Sequence, residues 1–290
     1  MDKARRQVKG EAAVARELLP GTSPALLKEL HLLTRDGRLN ADSLRKLKQV
    51  NHLVRLLQPA VEDVLGRFGE PVVADCGAGK GYLGFILAEL FVEPAGKGTV
   101  LSIETRPELT RAAEERASRL GYRRMRFVTG AVETAEVPAR LHLVTALHAC
   151  DTATDDALAL AIRRGADHVA VVPCCQAEVA RQLEEAPARA PLDALFEHPW
   201  HRREFGSHLT NVIRALALEA HGYRVTVTEL AGWEHSLKNE LILGKKVRGE
   251  GREARARLEA LLEATGVRPK LIRALAAAPL DPPNGATAGA

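Results

Sequence analysis

Five sets of residues have the types and spacing to do chemistry. The first is Asp75-Cys76-Gly77-Ala78-Gly79-Lys80-Gly81-Tyr82, where an acid and three alternate glycines follow the apolar run Val72-Val73-Ala74 and pass directly into a helical pattern. Glycines suit a tight turn at which a ligand meets bare backbone, and the free N–H groups opening the next helix favour polar or negative ligand groups. Glu104 ends a second apolar run, Gly98 to Ile103. A carboxylate there, about twenty residues beyond the glycines, can accept from both hydroxyls of a ribose. The remaining groups are His148-Ala149-Cys150-Asp151, Cys174-Cys175 and Lys238-Asn239. A histidine or aspartate can take a proton, a thiolate can attack, and a lysine can face a developing oxyanion.

The residues separate three loops that share the glycine outline. A phosphate-cradling loop needs four residues between its glycines and then Gly-Lys-Ser/Thr, but Gly79-Lys80 is followed by Gly81, so no hydroxyl is placed for magnesium. A dinucleotide fingerprint has its third glycine where this chain has Tyr82, which disfavours NAD. The remaining pattern, Asp-x-Gly-x-Gly-x-Gly, resembles the first motif of class I S-adenosylmethionine (SAM) methyltransferases. The resemblance implies that Asp75, Gly77, Gly79, Lys80, Gly81 and Tyr82 surround the methionine part of SAM, that Glu104 takes its ribose, and that Ala131 and Val132 lie along its adenine. No phosphate-binding arginine is expected beside Glu104, which suits an unphosphorylated ribose.

These groups need a scaffold. Short apolar runs from Val72, Gly98, Met125, Leu141 and His168 alternate with helical patterns at Tyr82 to Phe91, Pro107 to Leu120, Glu133 to Pro138 and Asp155 to Arg164. Such alternation predicts a parallel sheet covered on both faces. After a helix from Ser207 to His221, the runs Tyr223 to Glu229 and Glu240 to Gly244 have only a loop between them and predict a closing hairpin. The fold class expected is α/β, a Rossmann-like class I methyltransferase fold with a seven-stranded, mostly parallel sheet, a closing antiparallel hairpin, and N- and C-terminal helices. Ahead of the sheet, Leu44, Leu47, Val50, Val54, Leu57, Val61, Val64 and Phe68 recur at helical spacing, with Pro59 expected to kink or divide the helix. The expected organisation is an N-terminal helical region over 1–68, a methyltransferase domain over 69–247, a helical pair over 248–278 and a disordered tail over 279–290.

In a doubly wound sheet, ligands sit off the carboxyl ends of the strands. The segments 147–155 and 172–176 are therefore expected to face the reacting group. Together with Lys238-Asn239 they are similar to a group of SAM-dependent methyltransferases that share Asp-x-Gly-x-Gly-Lys-Gly-Tyr-Leu, Leu-His-x-Cys-(Gly/Asp)-x-x-Thr-Asp, Pro-Cys-Cys and a late Lys-Asn pair, a group related to tRNA ribose methylases. The resemblance covers about residues 43 to 245. It implies that His148, Asp151, Cys174, Cys175, Lys238 and Asn239 are catalytic or line the acceptor side, with His148 also near SAM. Zinc-finger elements that precede this domain in the tRNA methylases are missing here. Each residue has a plainer reading: Thr154 and Asp155 can cap a helix, and Cys174 and Cys175 can pack under the sheet. Adjacent cysteines chelate one metal awkwardly, so no metal site is expected.

The chain of 290 residues has a formal net charge of only +4, so bulk charge does not mark a nucleic-acid binder and any such case must rest on local clusters. Two stand out. One is the helix face Arg45, Lys48, His52 and Arg55; the other contains Trp200, Arg202, Arg203 and Phe205 between the fifth strand and the following helix. Cationic and aromatic side chains together suit unpaired RNA, so an RNA partner is expected. The four cysteines include no Cys-x-x-Cys pair and suit a reducing, cytoplasmic setting. Acids at Asp2, Glu11 and Glu17 interrupt any signal peptide, and no apolar stretch approaches a membrane span.

Overall fold

The apolar runs become strands, and the residues between them decide how each is held. The computed structural model describes residues 19–34, 36, 41–147, 149, 151–173, 176–185, 190–230, 240–247, 249 and 251–277. The candidates His148, Cys150, Cys174, Cys175, Lys238 and Asn239, the side chain of Arg45 and the expected tail all lie outside the described residues. The seven strands form a mostly parallel α/β sheet of the expected class I topology. The chain divides into two units, Met1–Ala131 with Glu229–Asn239, and Val132–Thr228 with Glu240–Ala290.

In the first unit, helix α1 (Pro24–Glu29) starts with Pro24 at its first position and Ser23 as cap, whose hydroxyl accepts from Leu26 N at 3.1 Å. Helix α2 (Ala41–Arg67) buries Leu47, Val50, Leu53, Val54, Leu57, Val61 and Val64. Of the kink or division expected at Pro59, the division does not occur, since one helix runs through it. Pro59 and Arg55 are both exposed, so the carbonyl that loses its partner four residues back faces water. Strands β1 (Val72–Cys76), β2 (Thr99–Glu104) and β3 (Met125–Thr129) lie in the order β3-β2-β1, with Asp75 opposite Ser102 and Glu104 opposite Thr129 in parallel register. The helix expected from Tyr82 to Phe91 is α3 (Tyr82–Leu87), a π turn over Ala88–Val92 and a short α4 (Glu93–Ala95). The π turn presents Glu89, which accepts from Ser23 N and from Tyr122 Oη at 3.0 and 2.9 Å. Helix α5 (Pro107–Leu120) ends at Gly121, with φ 74°.

In the second unit, strands β4 (Leu143–Leu147), β5 (His168–Val172), β6 (Tyr223–Glu229) and β7 (Glu240–Lys246) lie in the order β4-β5-β7-β6. β4 and β5 are parallel, and β7 runs antiparallel to β5 with Gly244 opposite Val169. Between them come α6 (Thr152–Arg163), α7 (Glu178–Glu185), a 3-10 turn (Leu192–Leu195) and α8 (Pro199–Ala220), followed after the sheet by α9 (Arg252–Thr265) and α10 (Lys270–Ala277). Two expectations fail here. The helix expected over Glu133 to Pro138 is only a turn through residue 134, because the segment is too short to repay nucleation and ends in proline. The aromatic and basic cluster expected between elements instead forms the first two turns of α8, which begins at Pro199 with His198 as N-cap. Among the described residues, no helix is long and apolar enough to cross a membrane.

Candidate functional site

The glycine elbow in the first unit uses each glycine for a different reason. Gly77, Gly79 and Gly81 have φ values of 65°, 59° and 78°, a region that L side chains enter at a cost of about 1–2 kcal/mol. A Cβ on Gly81 would stand 2.9 Å from the Phe85 ring, whereas one on Gly79 would meet only the Gly77 carbonyl at 4.0 Å. The surface above Gly79 is therefore open to a ligand, and that at Gly81 is packed. Alanine at Gly81 is expected to cost about 1–2 kcal/mol in backbone strain plus the overlap with Phe85, and alanine at Gly79 only the strain. Urea unfolding of the two variants measures the difference, and equal losses would contradict the packing argument.

Two carboxylates take N–H groups of the elbow, one in the glycine turn and one in the first turn of α3. Glu104 Oε2 accepts from Gly79 N at 2.7 Å, and Asp75 Oδ2 accepts from Gly84 N at 3.1 Å. A pyrophosphate needs such donors, and here it would meet negative groups instead. A sulfonium with a neutral ribose diol meets no such conflict, so the residues present fit SAM, and Tyr82 in place of a third glycine disfavours NAD.

Burial alone would raise the Glu104 carboxyl. Hydrogen bonds from the Arg106 side chain and from the Gly79 and Arg106 backbone outweigh it and hold the group below the ordinary glutamate range. Arg106 Nε lies 2.8 Å from Glu104 Oε1. An arginine therefore does stand beside Glu104, where no phosphate-binding arginine was expected. Arg106 is spent on the carboxylate itself, so it neutralises Glu104 and does not make a phosphate site. Lys80 points to solvent, but its carbonyl accepts from Arg116 Nη1 at 3.2 Å, while Arg116 Nε donates to the Glu29 carbonyl at 3.1 Å. Arg116, from α5, thereby fastens both the elbow and α1. Sequence reasoning missed it, although an arginine flanked by Ala113 and Ala117 on a half-buried helix face was visible. Tyr82 is half-buried, and Ala131 is exposed one residue after Gly130, whose N–H donates to the Glu104 carbonyl at 3.0 Å.

In the second unit Val132 is buried. Asp151 has φ 49° and ψ −116°, a strained conformation for a residue with a side chain. Its Oδ1 accepts from Ala177 N at 3.0 Å and from Glu178 N at 3.4 Å, so it satisfies the amides that open α7. Thr154 and Asp155 do not cap α6, contrary to the plainer reading. The Thr154 hydroxyl donates to the Ala149 carbonyl at 2.6 Å, and Asp155 pairs with the buried Arg214 at 2.7 Å. Arg202 pairs with Glu184 at 2.8 Å and Phe205 stacks on Phe196 at 5.6 Å, so both fasten the start of α8. Trp200 is 60% exposed, with the Arg203 guanidinium 4.2 Å from its ring centre. Lys48 and Arg55 are exposed and His52 half-buried on α2. Among the described residues, no cluster of acids, histidines or cysteines is placed to hold a metal.

Residues 45–182 match a family model described as a methyltransferase domain. Among curated proteins, a glutathione S-transferase C-terminal domain-containing protein from Bos taurus is 27% identical over 235 residues, which is 72% of this chain and 35% of that protein. The chain thus spans about a third of the length of the relatives it matches. Among solved structures, an rRNA methylase from Streptococcus thermophilus aligns with a TM-score of 0.43 and 13% identity, covering 67% of this chain and 96% of that one. Magnesium protoporphyrin IX methyltransferase from Synechocystis PCC 6803, solved with bound SAM, aligns at 0.44 and 12%, covering 79% and 100%. Residues 45–182 are thus similar to a methyltransferase domain, and the strand order is that of the class I methyltransferase fold.

Proposed function

We propose that the protein is a SAM-dependent methyltransferase acting on RNA, either tRNA or rRNA. The observation that carries the reading is the elbow itself: a glycine turn open at Gly79, whose N–H meets Glu104, followed by a helix whose Gly84 N–H meets Asp75, an arrangement suited to a cationic, phosphate-free nucleoside. Bound SAM supplies an electrophilic methyl group on a sulfonium. Such a displacement needs alignment and, for an oxygen or nitrogen acceptor, removal of one proton. For such an acceptor, His148 would be the residue that takes the proton. By the sequence resemblance, Lys238 and Asn239 would steady the developing charge, and Cys174 and Cys175 would belong to the acceptor side. The hydrogen bonds already made by Asp151 favour a positioning role for it over that of base.

The RNA reading rests on Trp200 and Arg203, an exposed ring and a cation on the first turns of α8, and on the exposed Lys48 and Arg55 of α2. Incubation with radiolabelled SAM and cell extract, with and without ribonuclease, tests it. Label should enter an RNA fraction and vanish with ribonuclease. Filter binding to total tRNA should weaken as salt rises, and Trp200→Ala with Arg203→Ala should flatten that slope by about one charge without changing SAM affinity. Ribonuclease-resistant label would move the acceptor to protein, and no label at all would leave a SAM-binding module.

A further inference from the structure

One stripe of α8 is polar where a buried helix face should be apolar. Ser207, Asn211 and Arg214 recur at spacings of four and three, so they lie on one face. Asn211 and Arg214 are 4% and 1% exposed. A buried guanidinium is costly unless every donor finds a partner. The three nitrogens of Arg214 each find one. Nε donates to Asp155 Oδ1 at 2.7 Å, Nη1 to Asn211 Oδ1 at 3.1 Å, and Nη2 to the Asp151 carbonyl at 2.8 Å. Asn211 extends the network: its Nδ2 donates to Glu240 Oε2 at 2.8 Å, and its Oδ1 also accepts from Gln176 Nε2 at 3.4 Å. Gln176 Oε1 in turn accepts from the Ser207 hydroxyl at 2.7 Å.

The partners have one thing in common. Asp151 directly follows Cys150 after β4, Gln176 directly follows Cys174-Cys175 after β5, and Glu240 directly follows Lys238-Asn239 at the start of β7. Three segments far apart in sequence, each abutting one group of acceptor-side residues, are held by one helix face. Asp151 also sits at φ 49° and ψ −116°, and such strain persists only where the surroundings over-determine it. The Arg214 bond to its carbonyl and the Ala177 and Glu178 amides on its carboxylate do so. Close helix packing completes the clamp, since a Cβ on Gly206 would stand 2.8 Å from the backbone of Ala180 in α7.

We infer that Arg214, with Asn211, is a positioning centre that sets the relative placement of the segments after β4, after β5 and before β7. For catalysis this rests on the methyltransferase reading above, but the clamp itself does not. Arg214 touches no reacting atom; it acts through the backbone of Asp151 and through Asn211. A network serving stability alone would need no link to all three segments.

The test uses the full chain and a readout independent of activity. Asn211→Leu removes the links to Gln176 and Glu240 and the partner of Arg214 Nη1, but keeps the Arg214 bonds to Asp155 and to the Asp151 carbonyl, so it is the milder variant and the one expected to fold. Hydrogen exchange should then quicken by about tenfold or more at the amides of Ala177 and Glu178 and around Glu240, the scale of a lost charge-assisted hydrogen bond. The rest of α8 and the SAM dissociation constant should be unchanged. Arg214→Met combined with Asp155→Leu replaces the ion pair by apolar side chains of similar volume and should quicken exchange around Asp151. In methyl transfer, both variants should lose kcat with KM for SAM unchanged, and Arg214→Lys should not rescue, because an ammonium lacks the three-way fork. Faster exchange confined to α8, or unchanged exchange at all three segments in both folded variants, would overturn the inference. A wild-type protein that binds SAM but labels nothing would instead count against the methyltransferase reading and leave the exchange result standing.

Discussion

Glu104→Ala should weaken SAM and S-adenosylhomocysteine binding by about 1.5–3 kcal/mol, the range for hydrogen bonds to a charged group. Two effects add. The ribose loses its acceptor, and Gly79 N loses the carboxylate that orients the turn at 2.7 Å. Glu104→Gln separates them, since the amide oxygen can still accept from Gly79 while the charge is gone; its loss should be the smaller. Titration calorimetry measures both, and an unchanged dissociation constant, or NAD binding as tightly as SAM, would refute the assignment. The pH dependence follows from the lowered carboxyl of Glu104. A group whose folded value lies below its unfolded one contributes stability above the unfolded value, and loses it as pH falls through the folded value. Affinity should therefore hold through the ordinary glutamate range and fall only at more acid pH.

Asp155→Ala should cost about 3–5 kcal/mol of unfolding free energy, the scale for removing one partner of a buried ion pair. Arg214 is 1% exposed and Asp155 2%, so neither charge can reach water when the other is lost. Burial pushes the Asp155 carboxyl upward, and the Arg214 guanidinium pulls it back only in part. Replacing both by Leu and Met should recover most of the loss, because the uncompensated charge is what costs. Urea unfolding of the single and double variants forms the test. A single-variant loss below about 1 kcal/mol would mean that the pair is hydrated or replaceable.

The strands and the elbow were legible because their signals are local. β1, β5 and β6 begin where the apolar runs begin, and the three glycines need positive φ, which no other residue supplies cheaply. What failed to show depends on distant partners. Arg106 was in plain view two residues after Glu104, but its role as a counter-charge appears only when both side chains fold back onto one another. Thr154 and Asp155 look like a cap in sequence; Arg214, 59 residues away, claims the carboxylate. Pro59 suggests a kink or a division because sequence does not show which side of α2 faces water. Pro199 did announce the start of α8, and the aromatic and basic residues after it drew the reading away from that signal.

The π turn at Ala88–Val92 bears on which length changes the family of this fold can accept. A π turn holds one residue more than an α turn over the same span. Deleting a single residue there would restore ordinary helix, yet would rotate everything before it by about 100° relative to everything after. Glu89 would then leave Ser23 and Tyr122, which it joins at 3.0 and 2.9 Å. Segment 19–34 would lose that anchor, although no residue in it had changed. Chains that vary in length at this point should therefore vary in how they attach what precedes the domain.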